Sequence, residues 1–214
     1  MEPMDVCTQF LALQQRCKEL FADLKELPNI GRNQWKGYFT RVFEAFTSLW
    51  KLQQTHRPLL LEKCSLSRAN VGDIASTIGQ LYYHYYLRTC DTTHLKQSLA
   101  FYAIIKDRKY FDEIFADKRH FEKIIRYYAR YAVVCVLHGD LDSVDNILSR
   151  VRELLAIHSS FEWSALPEEL LEFTKAIKNI CSTGPMVFPY ADEKPAKKRG
   201  RKVPSPPTCV CLLD

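Results

Sequence analysis

Apolar residues recur every three or four positions from Val6 to Cys181, which is the period of an α-helix with one buried face. Turn signals such as Pro28 to Gly31 and His56 to Pro58 interrupt this pattern. No segment shows the sustained alternation that is typical of a strand, so we expect no sheet. The pattern predicts helices over residues 5–27, 33–55, 59–66, 70–88, 93–108, 118–138, 143–158 and 167–181.

Two short segments resemble parts of a tetratricopeptide repeat. Ile78-Gly79 followed by Tyr82 resembles its first helix, and Val136 to Val144 resembles the Gly-Asp turn that links its two helices. Because their spacing is irregular, we predict an all-α array of antiparallel helices, made of α-solenoid or tetratricopeptide-like helix pairs rather than regular repeats. Arrays of this kind offer extended surfaces for peptides and proteins.

The predicted helix at 70–88 holds four tyrosines within five positions. Helical periodicity puts Tyr82 and Tyr85 on the main apolar stripe, whereas Tyr83 and Tyr86 fall off it. Core packing is the favoured interpretation for this segment, and an aromatic recognition face is the alternative. The off-stripe residues that could anchor a partner peptide are Tyr83, Tyr86 and Trp163. Small residues at three- and four-residue spacing also predict that a neighbouring helix approaches closely, namely Gly72, Ala75, Ser76 and Gly79.

Composition divides the chain into a helical protein-interaction domain, residues 1–183, and a basic, proline-rich tail, residues 184–214. Hydrophobic residues make up 47% of the chain, which is enough for a buried core. The net charge is +5, and most of it lies in the tail, so the helical domain is nearly neutral. A neutral domain is a poor platform for nucleic acid, and direct binding to nucleic acid is expected of the tail only. The prolines of the tail predict a disordered segment.

The tail contains a cluster of cations that fits a monopartite nuclear localisation signal: Lys197, Lys198, Arg199, Arg201 and Lys202. Two alternatives are a solvated charge run and an AT-hook, in which an Arg-Gly-Arg core lies in the minor groove of DNA. Cys209 and Cys211, close to the end of the tail, have the outline of a lipidation site, but Asp214 fits a prenylation box poorly. The alternative function is therefore a peripheral membrane signalling adaptor anchored by this basic, cysteine-containing terminus.

The sequence shows no catalytic or metal-binding motif, so we expect no enzymatic activity, no cofactor and no metal ion. His84, which lies among the tyrosines, is interpreted as a packing residue. The chain has eight cysteines, and most fall within apolar helical patterns, where thiols behave as small hydrophobic groups. We expect free thiols in a reducing compartment, and a location in the nucleus and cytoplasm.

Three aromatic strings resemble the amino-terminal region of the suppressor of cancer cell invasion (SCAI) family. They are QWKGYFTRVFEAFTSLWKLQQTHR (Gln34 to Arg57), IASTIGQLYYHYYLRT (Ile74 to Thr89) and RYYARYAVVCVL (Arg126 to Leu137). The resemblance covers about Phe10 to Val187. Family members are much longer, so this chain looks like a short isoform, a truncated paralogue or a partial gene product, with an unrelated tail.

The resemblance implies a nuclear transcriptional cofactor without catalytic activity. Members of this family are associated with binding a coactivator of the myocardin-related type and repressing serum response factor targets in Rho signalling. They are also associated with reduced cell migration and with DNA repair. The resemblance therefore implies a corepressor that acts through protein binding. It assigns no partner-binding residue to this chain.

Overall fold

The computed structural model describes residues 5–27, 34–112 and 118–157. These ranges are helical throughout, apart from short turns, and contain no strand, which confirms the predicted all-α class and the array of antiparallel helices. The predicted helix at 167–181, Trp163 and the tail at 184–214 lie outside the described residues. The helices are α1 (Val6–Glu26), α2 (Gln34–Thr55), α3 (Arg57–Lys63), α4 (Arg68–Thr89), α5 (Thr92–Asp107), α6 (Lys118–His138) and α7 (Leu141–Ile157).

The Gly-Asp turn predicted from the sequence joins α6 to α7. Gly139 adopts a φ of +84°, which a residue without Cβ reaches without strain. Its N–H donates to the carbonyl of Val136 at 3.1 Å, and the N–H of Asp140 donates to the carbonyl of Cys135 at 3.0 Å. The Asp140 carboxylate then accepts from the Ser143 N–H at 3.1 Å, which caps the start of α7. The turn thus ends one helix and starts the next.

Neighbours in the chain make the most extensive helix contacts, with α1 on α2, α4 on α5 and α6 on α7. Contacts of α2 with α4, and of α5 with α6, join these pairs into one array. Aromatic rings fill much of the core, and the Phe43 ring lies 4.8 Å from that of Tyr82 and 5.6 Å from that of Tyr85. Both tyrosines are buried, as their position on the apolar stripe predicted.

The small residues of α4 allow α5 to approach closely, as predicted. All four members of the stripe are buried. A Cβ placed on Gly79 would lie 3.1 Å from the ring of Tyr102 on α5. The Ser98 hydroxyl donates to the Gly79 carbonyl at 2.7 Å, so a buried hydrogen bond joins the two helices at this point. The tyrosine-rich helix therefore lies at the centre of the array.

One pair of cysteines departs from the expectation of free thiols. Cys7 in the first turn of α1 and Cys64 at the end of α3 form a disulfide, with 5.9 Å between their Cα atoms. The two residues are 57 positions apart, and only the packing of α1 on α3 brings them together. For this pair the expectation was wrong. Cys17, Cys90 and Cys135 carry free thiols.

Candidate partner-binding groove

An open groove runs between α1 and α4 on the surface of the array, with a volume of about 450 Å³. Both helices contact α2, but their backbones do not pack on each other. Side chains close one end of the gap. The ring of Phe21 on α1 lies 6.2 Å from that of His84 on α4, and the Arg88 guanidinium donates to the Leu27 carbonyl at 3.2 Å. We call this feature the α1/α4 groove.

The floor of the α1/α4 groove is apolar. Three helices build it, with Cys17 and Phe21 from α1, Phe46 and Leu49 from α2, and Ile74 from α4. All five side chains are buried. The rings of Phe21 and Phe46 meet edge to face with 6.2 Å between centroids, so α1 packs directly on α2 at the floor.

The rim of the groove is polar and carries more positive than negative charge. Lys18 lies on α1, Asp73 on α4, and Lys123 and Arg130 on α6. The Lys123 ammonium and the Asp73 carboxylate form an ion pair at 2.6 Å, which uses the single acid of this rim. Lys18 and Arg130 therefore leave a local excess of two positive charges. An apolar floor below a basic rim suits a ligand that combines apolar and acidic groups.

Arg130 is the most unusual of the rim residues. It is partly buried, and no carboxylate or carbonyl in the described part of the chain is paired with its guanidinium. Burial lowers the pKa of Arg130, and the like charge of Arg126 acts in the same direction, whereas Tyr102 acts against them. The buried hydroxyl of Tyr102 also lacks a hydrogen-bond partner among the described residues. Partly desolvated cations usually have anionic partners, so a ligand that brings a carboxylate to this position would match the charge of Arg130.

The structure places the predicted anchors Tyr83 and Tyr86 on the flank of α4, half-buried against the core. Tyr83 lies one turn beyond Gln80, which lines the groove, and its ring meets that of His84 edge-on at 6.1 Å. Burial raises the pKa of both tyrosines, so their hydroxyls stay protonated at neutral pH. Nothing in the structure tests whether they contact a partner, and their role stays a prediction. His84 packs among rings as the sequence indicated.

Several predicted site residues lie outside the described residues. They are Trp163, the cations Lys197, Lys198, Arg199, Arg201 and Lys202, and the cysteines Cys209 and Cys211. The groove residues themselves were not predicted, because they come from four helices, namely α1, α2, α4 and α6. One signal was available in Arg130, a charged residue within the aromatic string of α6.

The thiol in the floor of the groove is not activated as a nucleophile. Burial raises the pKa of the Cys17 thiol to about 12, which keeps it protonated at neutral pH. Cys17 therefore serves as an apolar group of the floor. In the described ranges no cluster of three His, Cys, Asp or Glu side chains is arranged to hold a metal ion. None of the described helices is both long and apolar enough to cross a membrane.

Comparison with known proteins decides the family. The profile of the family described as Protein SCAI matches residues 12–198. The chain belongs to the SCAI family. This match includes α2 and α4 with their aromatic strings, and it continues beyond Val187, where the sequence resemblance was expected to end, into the first cations of the tail.

Individual SCAI proteins cover most of this chain. The Protein SCAI sequences of Mus musculus and Homo sapiens are each 38% identical to it over 178 residues, which is 79% of this chain and 29% of theirs. The Protein SCAI homolog of Dictyostelium discoideum is 40% identical over 192 residues, which is 85% of this chain and 24% of its own length. The chain thus spans less than a third of these relatives. No solved structure matches it.

Proposed function

We propose that this chain is a helical protein-interaction module that acts in the nucleus as a transcriptional corepressor. The observation that carries the proposal is membership of the SCAI family over residues 12–198. The partner would be a coactivator of the myocardin-related type, and occupying it would lower transcription driven by serum response factor and reduce cell migration. No catalytic step is required, because the action is binding alone.

The α1/α4 groove supports this proposal by supplying a surface of the right kind. Its floor of buried apolar groups can receive apolar side chains, and each Å² of apolar surface removed from water contributes about 25 cal/mol. Helices commonly bind in grooves of this type through residues that recur every three or four positions. A coactivator segment held there is unavailable to its transcription factor, which gives a competitive mechanism for repression.

The proposal is tested by direct binding followed by transcription. The purified full chain is titrated into a fluorescent, purified coactivator of the myocardin-related type, and complex formation is followed by anisotropy. We expect saturable binding, and in cells we expect the full chain to lower the output of a reporter driven by serum response factor. A second reporter without sites for that factor is the control. No binding by the purified chain, or equal loss from both reporters, would contradict the proposal.

A further inference from the structure

We propose that the α1/α4 groove binds a short, acidic, amphipathic helix of a partner protein, with its apolar face on the floor and its carboxylates against Lys18 and Arg130. This inference rests on the proposed function, because it names the chemistry that a protein-interaction module would recognise. It adds the place of binding, the class of peptide and the residues that read its charge.

The charge of the rim complements an acidic ligand. The rim holds three cations and one acid, and the ion pair of Lys123 with Asp73 leaves Lys18 and Arg130 for an incoming anion. Arg130 is partly buried without a carboxylate partner in the described ranges, and Arg126 adds like charge beside it. A planar guanidinium is well suited to bidentate contact with a carboxylate. The peptide should therefore be acidic.

The dimensions and the floor of the groove suit a short helix. Asn70, Asp73, Thr77 and Gln80 line it from α4, so it follows that helix from residue 70 to residue 80, or about 15 Å at the rise of an α-helix. About three turns of a partner helix fit this length. The described walls are all helices and present no strand edge, so an extended strand would find no backbone partners. A helix pairs its own backbone groups, so it needs no backbone partner from the groove. Its apolar face can pack on the buried floor.

Two occupants from this chain itself are less suitable. The basic run from Lys197 to Lys202 has the same sign of charge as the rim, so it would be repelled. A second copy of the chain would have to present an acidic helix face. The exposed face of α7 carries Arg152 as well as acidic side chains, so its charge is mixed and does not complement the basic rim. A separate acidic partner fits the rim better than either.

The experiment uses the full chain and a defined peptide probe. The probe is a fluorescein-labelled, hydrocarbon-stapled helix of about 14 residues, because unstapled helices of this length are marginal in water. Leucines occupy one face and glutamates flank it. Two comparison probes carry glutamine or lysine in place of every glutamate. Anisotropy should show that the acidic probe binds at least about tenfold more tightly than the glutamine probe, with further weakening for the lysine probe and at high salt.

Variants of the chain locate the binding site. Ala22 is exposed and lines the groove, so Ala22→Trp should fill the groove without disturbing the core and weaken probe binding by more than about tenfold. Ala12→Trp, at an exposed position of the same helix outside the groove, is the matched control and should change nothing. Lys18→Gln should weaken binding of the acidic probe but not of the glutamine probe. Arg152→Gln, on exposed α7, should leave both unchanged.

Each contrary outcome overturns the inference in a recognisable way. Equal affinity for all three probes would exclude charge recognition, and equal loss in Ala22→Trp and Ala12→Trp would place binding elsewhere. Self-association of the wild-type chain that Ala22→Trp abolishes would make the groove an interface between copies. The proposed function fails separately. If the wild-type chain binds the acidic probe but not the coactivator, the groove inference stands and the corepressor proposal is contradicted. If Ala22→Trp still binds the coactivator with full affinity, the coactivator binds elsewhere on the chain. The corepressor proposal then stands without the groove as its binding site.

Discussion

Two glycines show how the surroundings of a single residue decide the effect of one added methyl group. A Cβ on Gly72 of α4 would lie 2.8 Å from Phe111 Cε1 and 2.9 Å from Tyr110 Cβ, whereas a Cβ on Gly37 of α2 would meet nothing within 4 Å. We expect Gly72→Ala to lower the free energy of unfolding by about 1–3 kcal/mol through overpacking. We expect Gly37→Ala to raise it by up to about 1 kcal/mol, because alanine favours the helix. Urea unfolding of both variants measures this, and effects of the same sign would contradict it.

His94 gives the chain a dependence on pH at the scale of one side chain. It is buried on α5, and its ring lies 4.6 Å from that of Tyr85 and 6.4 Å from that of Tyr82. Burial lowers the pKa of His94 below its usual 6.5, although nearby Asp91 acts in the opposite direction. The unfolded state therefore takes up a proton before the folded state does, so stability is lost as pH falls below about 6.5 and on towards the lowered pKa.

The corresponding measurement compares urea midpoints at several pH values between neutral and mildly acidic. The wild-type midpoint should fall with pH, and in His94→Gln the part of this slope that comes from His94 should disappear. An unchanged slope in His94→Gln would show that another group is responsible.

At the scale of elements, sequence reasoning succeeded where the signals are local. The periodicity of apolar residues predicted the described helices to within a few residues, and the Gly-Asp turn at residues 139 and 140 links two helices, as the sequence indicated. The α1/α4 groove could not be predicted in this way, because its walls come from helices far apart in the chain. The disulfide between Cys7 and Cys64 was not predicted, because the apolar helical setting of most cysteines and the expected reducing compartment favoured free thiols. Local pattern fixes which face of a helix is buried, but not which helix covers it.

The cap of α7 is a local element whose contribution can be measured. The Asp140 carboxylate accepts from the Ser143 N–H at 3.1 Å and satisfies a donor that the helix itself leaves unpaired. Asp140→Ala should lower the free energy of unfolding by about 1 kcal/mol. Asp145→Ala, on the exposed surface of the same helix, is the matched control and should change it by less than about 0.5 kcal/mol. Equal losses would mean that negative charge near the helix start matters, rather than the cap.

The disulfide links two elements, and its contribution depends on the length of chain that it closes. Cys7 and Cys64 are separated by 57 residues, for which the chain-entropy relation gives about 4 kcal/mol of stabilisation. We expect the oxidised chain to be more stable than the reduced chain by up to this amount in urea unfolding with and without reductant. In Cys7→Ser the two conditions should give the same midpoint. A reductant effect that persists in Cys7→Ser would assign it to other cysteines.

At the scale of the whole molecule, the helical array and the tail have separate expected roles. The array offers the α1/α4 groove, and we propose that the cations of the tail, which lies outside the described residues, act as a nuclear localisation signal. The SCAI family match reaches residue 198 and so includes Lys197 and Lys198. Binding and localisation should therefore be separable by mutation.

That separation is tested in cells with the full chain fused to two fluorescent proteins, which makes it too large to diffuse freely into the nucleus. Changing Lys197, Lys198, Arg199, Arg201 and Lys202 together to glutamine removes the charge that an acidic import receptor would read, so the nuclear fraction should fall several-fold. The purified variant should still bind the coactivator, because the groove residues are untouched. Cys209→Ser with Cys211→Ser is the matched tail control and should leave the distribution unchanged. A different outcome would favour the lipid-anchored adaptor: the wild-type chain is found in the membrane fraction, and the double serine variant is not. The tail would then act as a membrane anchor instead of a nuclear localisation signal.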